Sequence, residues 1–283
     1  GDDMDTSSQV QLLLDAAHDD DATAAAVDRI GLLAVTDLVI DEILFRADLD
    51  DLAGADDTAT VVVTLTHRGD EIATPISVGP DGVVVGEEKP GGLPPVTVAQ
   101  DAAETARALF GPRARVSAAT REIRWPGPDV VVLGRRAEGP LPRVFAAAVQ
   151  RVIAVLDRRE PADLAELAVR YGSDKWGPMH QYTRHYQRHL EPWRDRRLTV
   201  LEIGVGGYDD PAAGGGSLRM WRRYFPRALV YGLDIADKSA LDQPRIRTVR
   251  ADQSDPVSLR AVAERFGPFD IVIDDGSHIS SHV

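Results

Sequence analysis

The residues best equipped for chemistry stand together in IVIDDGSHISSHV, residues 271–283. Apolar and β-branched residues run into two adjacent carboxylates, Asp274 and Asp275, then a glycine, a serine and His278. So sharp a change from apolar to ionisable marks the mouth of a site at a strand's carboxyl end. Adjacent acids point in different directions, so the two can take separate tasks. Read alone, His278 would be a surface histidine capping a following helix; after a strand-ending acid pair it reads as an acid–base residue.

A second cluster is LEIGVGGY, residues 201–208. Glycines at a strand's end let the backbone approach a ligand closely. A nicotinamide fingerprint would want G-x-G-x-x-G, but Asp209 holds the last glycine's place. An acid, Glu202, instead lies within the strand two residues before Gly204. Further acids close the next strands: Asp234 after YGLDI, Asp252 with Gln253 after IRTVRADQ, and Asp274 after FDIVID. Singly each is better read as a helix cap or loop residue. In register after successive strands they suit a nucleoside cofactor, Asp234 accepting the ribose hydroxyls and Asp252 and Gln253 reading the adenine edge. The order acid, then spaced glycines, resembles the first motif of class I S-adenosylmethionine-dependent methyltransferases.

The elements that must hold these residues alternate strand and helix. LTVLEIGVGG, ALVYGLDI, IRTVRADQ and FDIVIDDGS read as strands, and SLRMWRRYF, with Ser217 as N-cap, and DPVSLRAVAERFG as helices. That alternation predicts a parallel, doubly wound sheet with ligands at its carboxyl ends. The insertion YDDPAAGGG before Ser217 reads either as a substrate-facing lid or as a disordered surface loop. Upstream, VRYGSDKWGPMHQYTRHYQRHL reads as one helix over residues 169–190, rich in aromatic residues and histidine. His185 and His189 have zinc-ligand spacing but no evident third partner, and packing is the favoured reading.

The chain before this region is different. At 283 residues, two domains are expected. Residues 1–159 predict an α+β auxiliary domain without a catalytic constellation, and residues 160–283 the strand–helix domain, with Pro161 opening a new helix. QVQLLLDAAH and VTDLVIDEILFRADL have helical periodicity, the latter with Thr36 as a possible N-cap. ATVVVTLTHRG, EIATPISVG, DGVVVGEE, RVSAATREIRW and DVVVLG read as strands, and VTVAQDAAETARALFG as an alanine-rich helix stopped by Gly111. PRVFAAAVQRVIAVLDRR is a further helix with a basic end.

Composition narrows the function classes. A net charge of −13 argues against a nucleic-acid partner, which needs clustered Lys and Arg. The absence of cysteine excludes disulfides, thiolate metal sites and a thiol nucleophile, and fits a cytoplasmic setting. No apolar stretch suits a membrane span, and the acidic start lacks the features of a secretory signal.

YGSDKWGPMHQYTRHY, LEIGVGGY, GGGSLRMWRRYFP, YGLDIADKS, ADQ and FGPFDIVIDDGSH together resemble the sugar O-methyltransferase family of macrolide biosynthesis, densely from about residue 166 onward. The N-terminal segment is similar to that family's auxiliary domain in layout and in pieces such as DEILFR. The resemblance implies magnesium-dependent methylation of a deoxysugar hydroxyl on a glycosylated natural product, with S-adenosylmethionine as donor, and assembly as a tetramer. It implies that Ser173, Glu202, Gly204, Gly206, Gly207, Ser217, Asp234, Asp252, Gln253 and Asp274 line the cofactor, that Asp275 is a Mg²⁺ ligand and that His278 is the general base. The fold implied is α/β, a class I Rossmann-like methyltransferase domain after an α+β auxiliary domain. The family has further strands and acidic metal ligands beyond the fourth strand, so the sequence in hand is expected to be truncated and inactive by itself. A phenolic hydroxyl acceptor, or a non-catalytic module binding a hydrophobic ligand, are the alternative readings.

Overall fold

The computed structural model describes residues 4–86, 93–126, 131–132, 135–136, 142–159, 163–175 and 183–277. They fall into two compact units, one made of Ala16–Glu160 and the other of Gly1–Asp15 with Pro161–Val283. Helix α1 (Thr6–Ala16) runs up to the division, and within its own unit Asp15 accepts from the Arg197 guanidinium at 2.7 Å.

The Ala16–Glu160 unit contains α2 (Asp20–Ile30), α3 (Leu32–Ala47), β1 (Ala59–His67), β2 (Asp70–Gly79), β3 (Gly82–Val85), β4 (Val96–Asp101), α4 (Ala102–Phe110), β5 (Glu122–Arg124), β6 (Val131–Val132), β7 (Arg135–Arg136) and α5 (Arg143–Leu156). Its main sheet has the order β3-β2-β1-β4-β5, with only the β1–β4 pair parallel, and β6 and β7 form a separate two-stranded pair. The β-branched run in β1 is buried on both faces from Ala59 to Leu65, with α3, α4 and α5 packed against the strand.

Two sequence expectations change here. The helix expected over residues 96–110 is a strand for its first six residues, because Val96, Thr97 and Val98 pair with β1 in a buried sheet. The helix begins only where the Asp101 carboxylate accepts the Glu104 N–H at 2.9 Å, and Gly111 stops it as expected. Thr36 is not an N-cap. It lies inside α3, its hydroxyl donating back to the Leu32 carbonyl at 2.7 Å, while Gly31 precedes the helix.

The other unit continues with α6 (Leu164–Arg170), α7 (Thr183–Leu190), β8 (Leu198–Ile203), α8 (Gly216–Tyr224), β9 (Ala228–Asp234), β10 (Ile246–Arg250), α9 (Pro256–Phe266) and β11 (Ile271–Asp274). The helix expected over residues 169–190 is therefore interrupted. Its upstream part is the end of α6, capped by Asp163 and closed at Tyr171 and Gly172, and residues 176–182 lie outside the described residues. Pro161 also lies outside them.

All four strands of this unit are parallel, in the order β10-β9-β8-β11. From β8 the chain steps outward through β9 to β10, then returns to lay β11 on the opposite side of β8. Neighbouring crossovers that leave in opposite directions open a crevice at the strands' carboxyl ends, between β8 and β11. The core beneath it packs Val200, Leu218, Trp221, Phe225 and Val230 against Leu167 of α6. No described helix is long and apolar enough to cross a membrane.

Candidate active site

β8 leaves the sheet at Ile203, and the next residues turn back on themselves. Gly204 has φ +92°, and a Cβ there would stand 2.4 Å from the Asp275 carbonyl oxygen and 2.8 Å from the Gly276 Cα. Only glycine lets the ends of β8 and β11 approach so closely. Gly206, at φ +79°, has open space where its Cβ would be, and it lines a cavity of about 490 Å³. Asp234, Ile235, Asp252, Gln253 and Asp275 line the same cavity, with Tyr208 exposed in its wall.

The Asp234 carboxylate is fixed by two backbone donors, the N–H of Val205 at 3.0 Å and that of Ala236 at 2.9 Å. Both oxygens keep lone pairs for ligand hydroxyls. Asp252 folds onto the next turn, accepting from the Ser254 N–H at 2.8 Å and the Ser254 hydroxyl at 2.6 Å. Gln253 spans two segments: it accepts from the Ser277 N–H at 2.8 Å and donates to Asp274 at 3.4 Å. Asp274 does not line the cavity. Its carboxylate also accepts the Gly276 N–H at 3.2 Å, which ties it into the turn after β11.

Glu202, Ser173 and Ser217 do not line the cavity either; they gather around a buried lysine. The Lys175 ammonium lies 3.2 Å from Glu202, 3.1 Å from the Ser217 hydroxyl and 2.6 Å from Asp275. Ser173 and Ser217 share a hydrogen bond of 2.8 Å, and the Trp221 indole N–H donates to the second Glu202 oxygen. Ser217 is not the N-cap expected of α8. That position is Gly215, in the left-handed region, and Ser217 lies in the first turn facing Ser173 and Lys175. Burial pulls the Lys175 pKa down, but Glu202 and Asp275 outweigh it and leave the ammonium above its usual value. Burial pushes Glu202 up to about 7 against the opposing pull of Lys175 and Trp221.

The YDDPAAGGG insertion is built as an ordered turn. Gly207 packs on Ala213, Gly215 N–H reaches the Val205 carbonyl at 2.9 Å, and the buried Lys238 ammonium donates to the carbonyls of Asp210 at 2.7 Å and Ala213 at 3.2 Å. α7 packs the edge of Tyr186 on Trp221, at 5.9 Å between centroids, and leaves His185 and His189 exposed.

His278 lies outside the described residues. Sequence reasoning assigned no role to Lys175, although lysine occurs only three times in the chain, at positions 89, 175 and 238. Two of the three are buried ion anchors in this unit, and that scarcity was the available signal. The donor set suits a nucleoside cofactor: carboxylates at strand ends beside glycines that leave room. Four carboxylates line the cavity, Asp209, Asp234, Asp252 and Asp275, but among the described residues no group of three His, Asp or Glu residues could hold a metal.

Comparison with known proteins agrees with this arrangement. The family model for the MycE methyltransferase N-terminal region matches residues 10–121. The chain is 48% identical to the 8-demethyl-8-alpha-L-rhamnosyl tetracenomycin-C 2'-O-methyltransferase of Streptomyces olivaceus, over 99% of this chain and 73% of that protein. It is 55% identical to the mycinamicin VI 2''-O-methyltransferase of Micromonospora griseorubida, over 47% of this chain and 33% of that one. Among solved structures, the MycE methyltransferase of the mycinamycin biosynthetic pathway in complex with Mg, SAH and mycinamycin VI superimposes with a TM-score of 0.81 at 34% identity. That match covers 97% of this chain and 71% of the MycE chain. With sequence and overall fold both in agreement, the chain belongs to the family of sugar O-methyltransferases of macrolide and tetracenomycin pathways.

Proposed function

We propose that the protein transfers a methyl group from S-adenosylmethionine to a deoxysugar hydroxyl of a glycosylated natural product, with Mg²⁺ at the acceptor. The observation that carries the proposal is the cavity at the β8–β11 crevice, where Asp234, clamped by two backbone N–H groups, faces the space beside Gly204 and Gly206. In this reading the unit around β8–β11 is a class I Rossmann-like methyltransferase domain. The Ala16–Glu160 unit is the auxiliary domain, which contributes to a tetramer.

Asp234 takes the ribose hydroxyls, and Asp252 and Gln253 the adenine edge, with Asp274 holding Gln253 in place. Ser173, Glu202 and Ser217 lie toward the methionine end, and Gly204 and Gly206 keep the wall open, whereas Gly207 does not line the cavity but packs on Ala213. Asp275 contributes an oxygen ligand to Mg²⁺, and His278 accepts the acceptor's proton as its oxygen attacks the methyl carbon. General-base help of this kind contributes about 10²–10⁴-fold. A bound Mg²⁺ supplies Lewis-acid polarisation of the sugar hydroxyl, lowering its pKa.

The test is incubation of the full-length protein with methyl-labelled S-adenosylmethionine and a panel of rhamnosylated tetracenomycins, macrolide glycosides and phenolic aglycones, with and without chelator. Label is expected on a sugar oxygen and is lost on chelation. Label on phenols alone would overturn the acceptor assignment, and transfer indifferent to chelator would remove the metal.

A further inference from the structure

Lys175 is the residue of the site that no expectation covered, and its surroundings are unusual. The side chain is 4% exposed, and its ammonium reaches acceptors on three separate elements: Glu202 in β8, Ser217 in the first turn of α8, and Asp275 after β11. An ammonium has three N–H donors, so this set engages all of them. Neutralising the buried Glu202 would need one contact. The shortest of the three goes instead to Asp275, at 2.6 Å, 100 residues away in sequence.

The backbone of Asp275 is already fixed, its N–H donating to the Ile203 carbonyl at 2.9 Å. What that bond leaves free is rotation of the carboxylate, and Lys175 takes the Oδ2 atom. Gln253 holds the following residues through Ser277, so the turn after β11 is pinned from both sides of the cavity.

We infer that Lys175 is a positioning residue for methyl transfer: it ties the end of β11 to β8 and α8 and so sets the orientation in which Asp275 faces the cavity. The inference rests on the proposed function for its kinetic consequence, but its geometric content stands on the contacts alone. Misplacing a group at a reacting centre by about 1 Å costs on the order of 10²-fold in rate, so a fixed carboxylate has a measurable value.

A purely structural role for Lys175, as counter-ion to Glu202, is separable by choice of background. In Glu202→Gln the charge to be balanced is gone. Adding Lys175→Met to that background is expected to leave the melting temperature and S-adenosylhomocysteine affinity, measured by calorimetry, close to those of Glu202→Gln alone. It is expected to lower kcat by a further factor of about ten or more with little change in the acceptor KM. A further change in kcat of less than about twofold makes Lys175 a counter-ion only and overturns the inference. A crystal structure of the double variant with S-adenosylhomocysteine reads the same question without turnover. A rotated Asp275 carboxylate supports the positioning role, and one superimposed on the wild-type position overturns it. That readout holds even if the wild-type protein methylates no glycoside, a result that would sink the proposed function alone.

Discussion

The indole N–H of Trp221 donates to one carboxylate oxygen of Glu202 while the Lys175 ammonium holds the other at 3.2 Å. Glu202 is 2% exposed, so these two donors stand in for the water it has lost. Trp221→Phe keeps an aromatic ring in the stack with Phe225 but leaves a buried carboxylate oxygen without its donor. The expected cost is about 1–3 kcal/mol of stability, measured by urea unfolding followed by circular dichroism. An unchanged midpoint would show that the bond contributes nothing net.

A second carboxylate predicts acid sensitivity in the Ala16–Glu160 unit. Glu104, buried in α4, accepts from the hydroxyls of Ser117 and Thr120, and from the N–H groups of Ala119 at 2.7 Å and Thr120 at 3.0 Å. Burial pushes its pKa up, but these donors together hold it below its ordinary 4.5. The stabilisation is present above the unfolded pKa and is lost as pH falls through the lowered folded value. In Glu104→Gln, hydrogen exchange at Ala119 and Thr120 should be faster at neutral pH and should no longer accelerate on acidification below about pH 4.5. Equal exchange in the two proteins at neutral pH would argue that the loop is held by other contacts.

Gly204→Ala tests the close approach of β8 and β11. The added methyl meets three backbone atoms of the Asp275–Gly276 turn, and φ +92° strains any side chain. Affinity for S-adenosylhomocysteine is expected to fall by about tenfold or more, which corresponds to about 1.4 kcal/mol. Wild-type affinity in calorimetry would place the cofactor away from this crevice.

Asp234→Asn replaces one acceptor with a donor. The new NH₂ group must face the N–H of either Val205 or Ala236, both of which now donate to the carboxylate. S-adenosylhomocysteine affinity is expected to drop by about tenfold, while homocysteine, which lacks the ribose, is unaffected in competition assays. Equal losses for both ligands would reassign Asp234 from ligand recognition to loop geometry.

What could be read from the sequence was what is local. LEIGVGG sets a strand against its glycine turn, and YGLDI and FDIVIDD set a strand against its closing acid, each within about ten residues, so β8, β9, β11 and the positions of Gly204, Asp234 and Asp275 followed from local pattern. The misreadings came where a local pattern competes with a distant partner. Alanines 99, 102 and 103 carried the helix signal back into β4, whose strand state depends on pairing with β1 more than thirty residues earlier. Ser217 has the chemistry of an N-cap, but the Ser173–Lys175 segment folds over it and the cap passes to Gly215. Lys175 was invisible as a partner of Asp275 because no pattern spans 100 residues.

The lysine distribution also gives the protein a chemical handle. Acylating and cross-linking reagents attack free amines, yet Lys175 and Lys238 are 4% and 1% exposed and committed to acceptors in the adjoining turns. In the folded state these two amines are sheltered from such reagents, and each becomes reactive only when its own part of the site opens. Mass-spectrometric timing of acylation at Lys238 reports opening of the glycine-rich turn, and acylation at Lys175 reports parting of β8 from β11. With one other lysine in the sequence, Lys89, the labelling map is sparse enough for both openings to be followed in one sample.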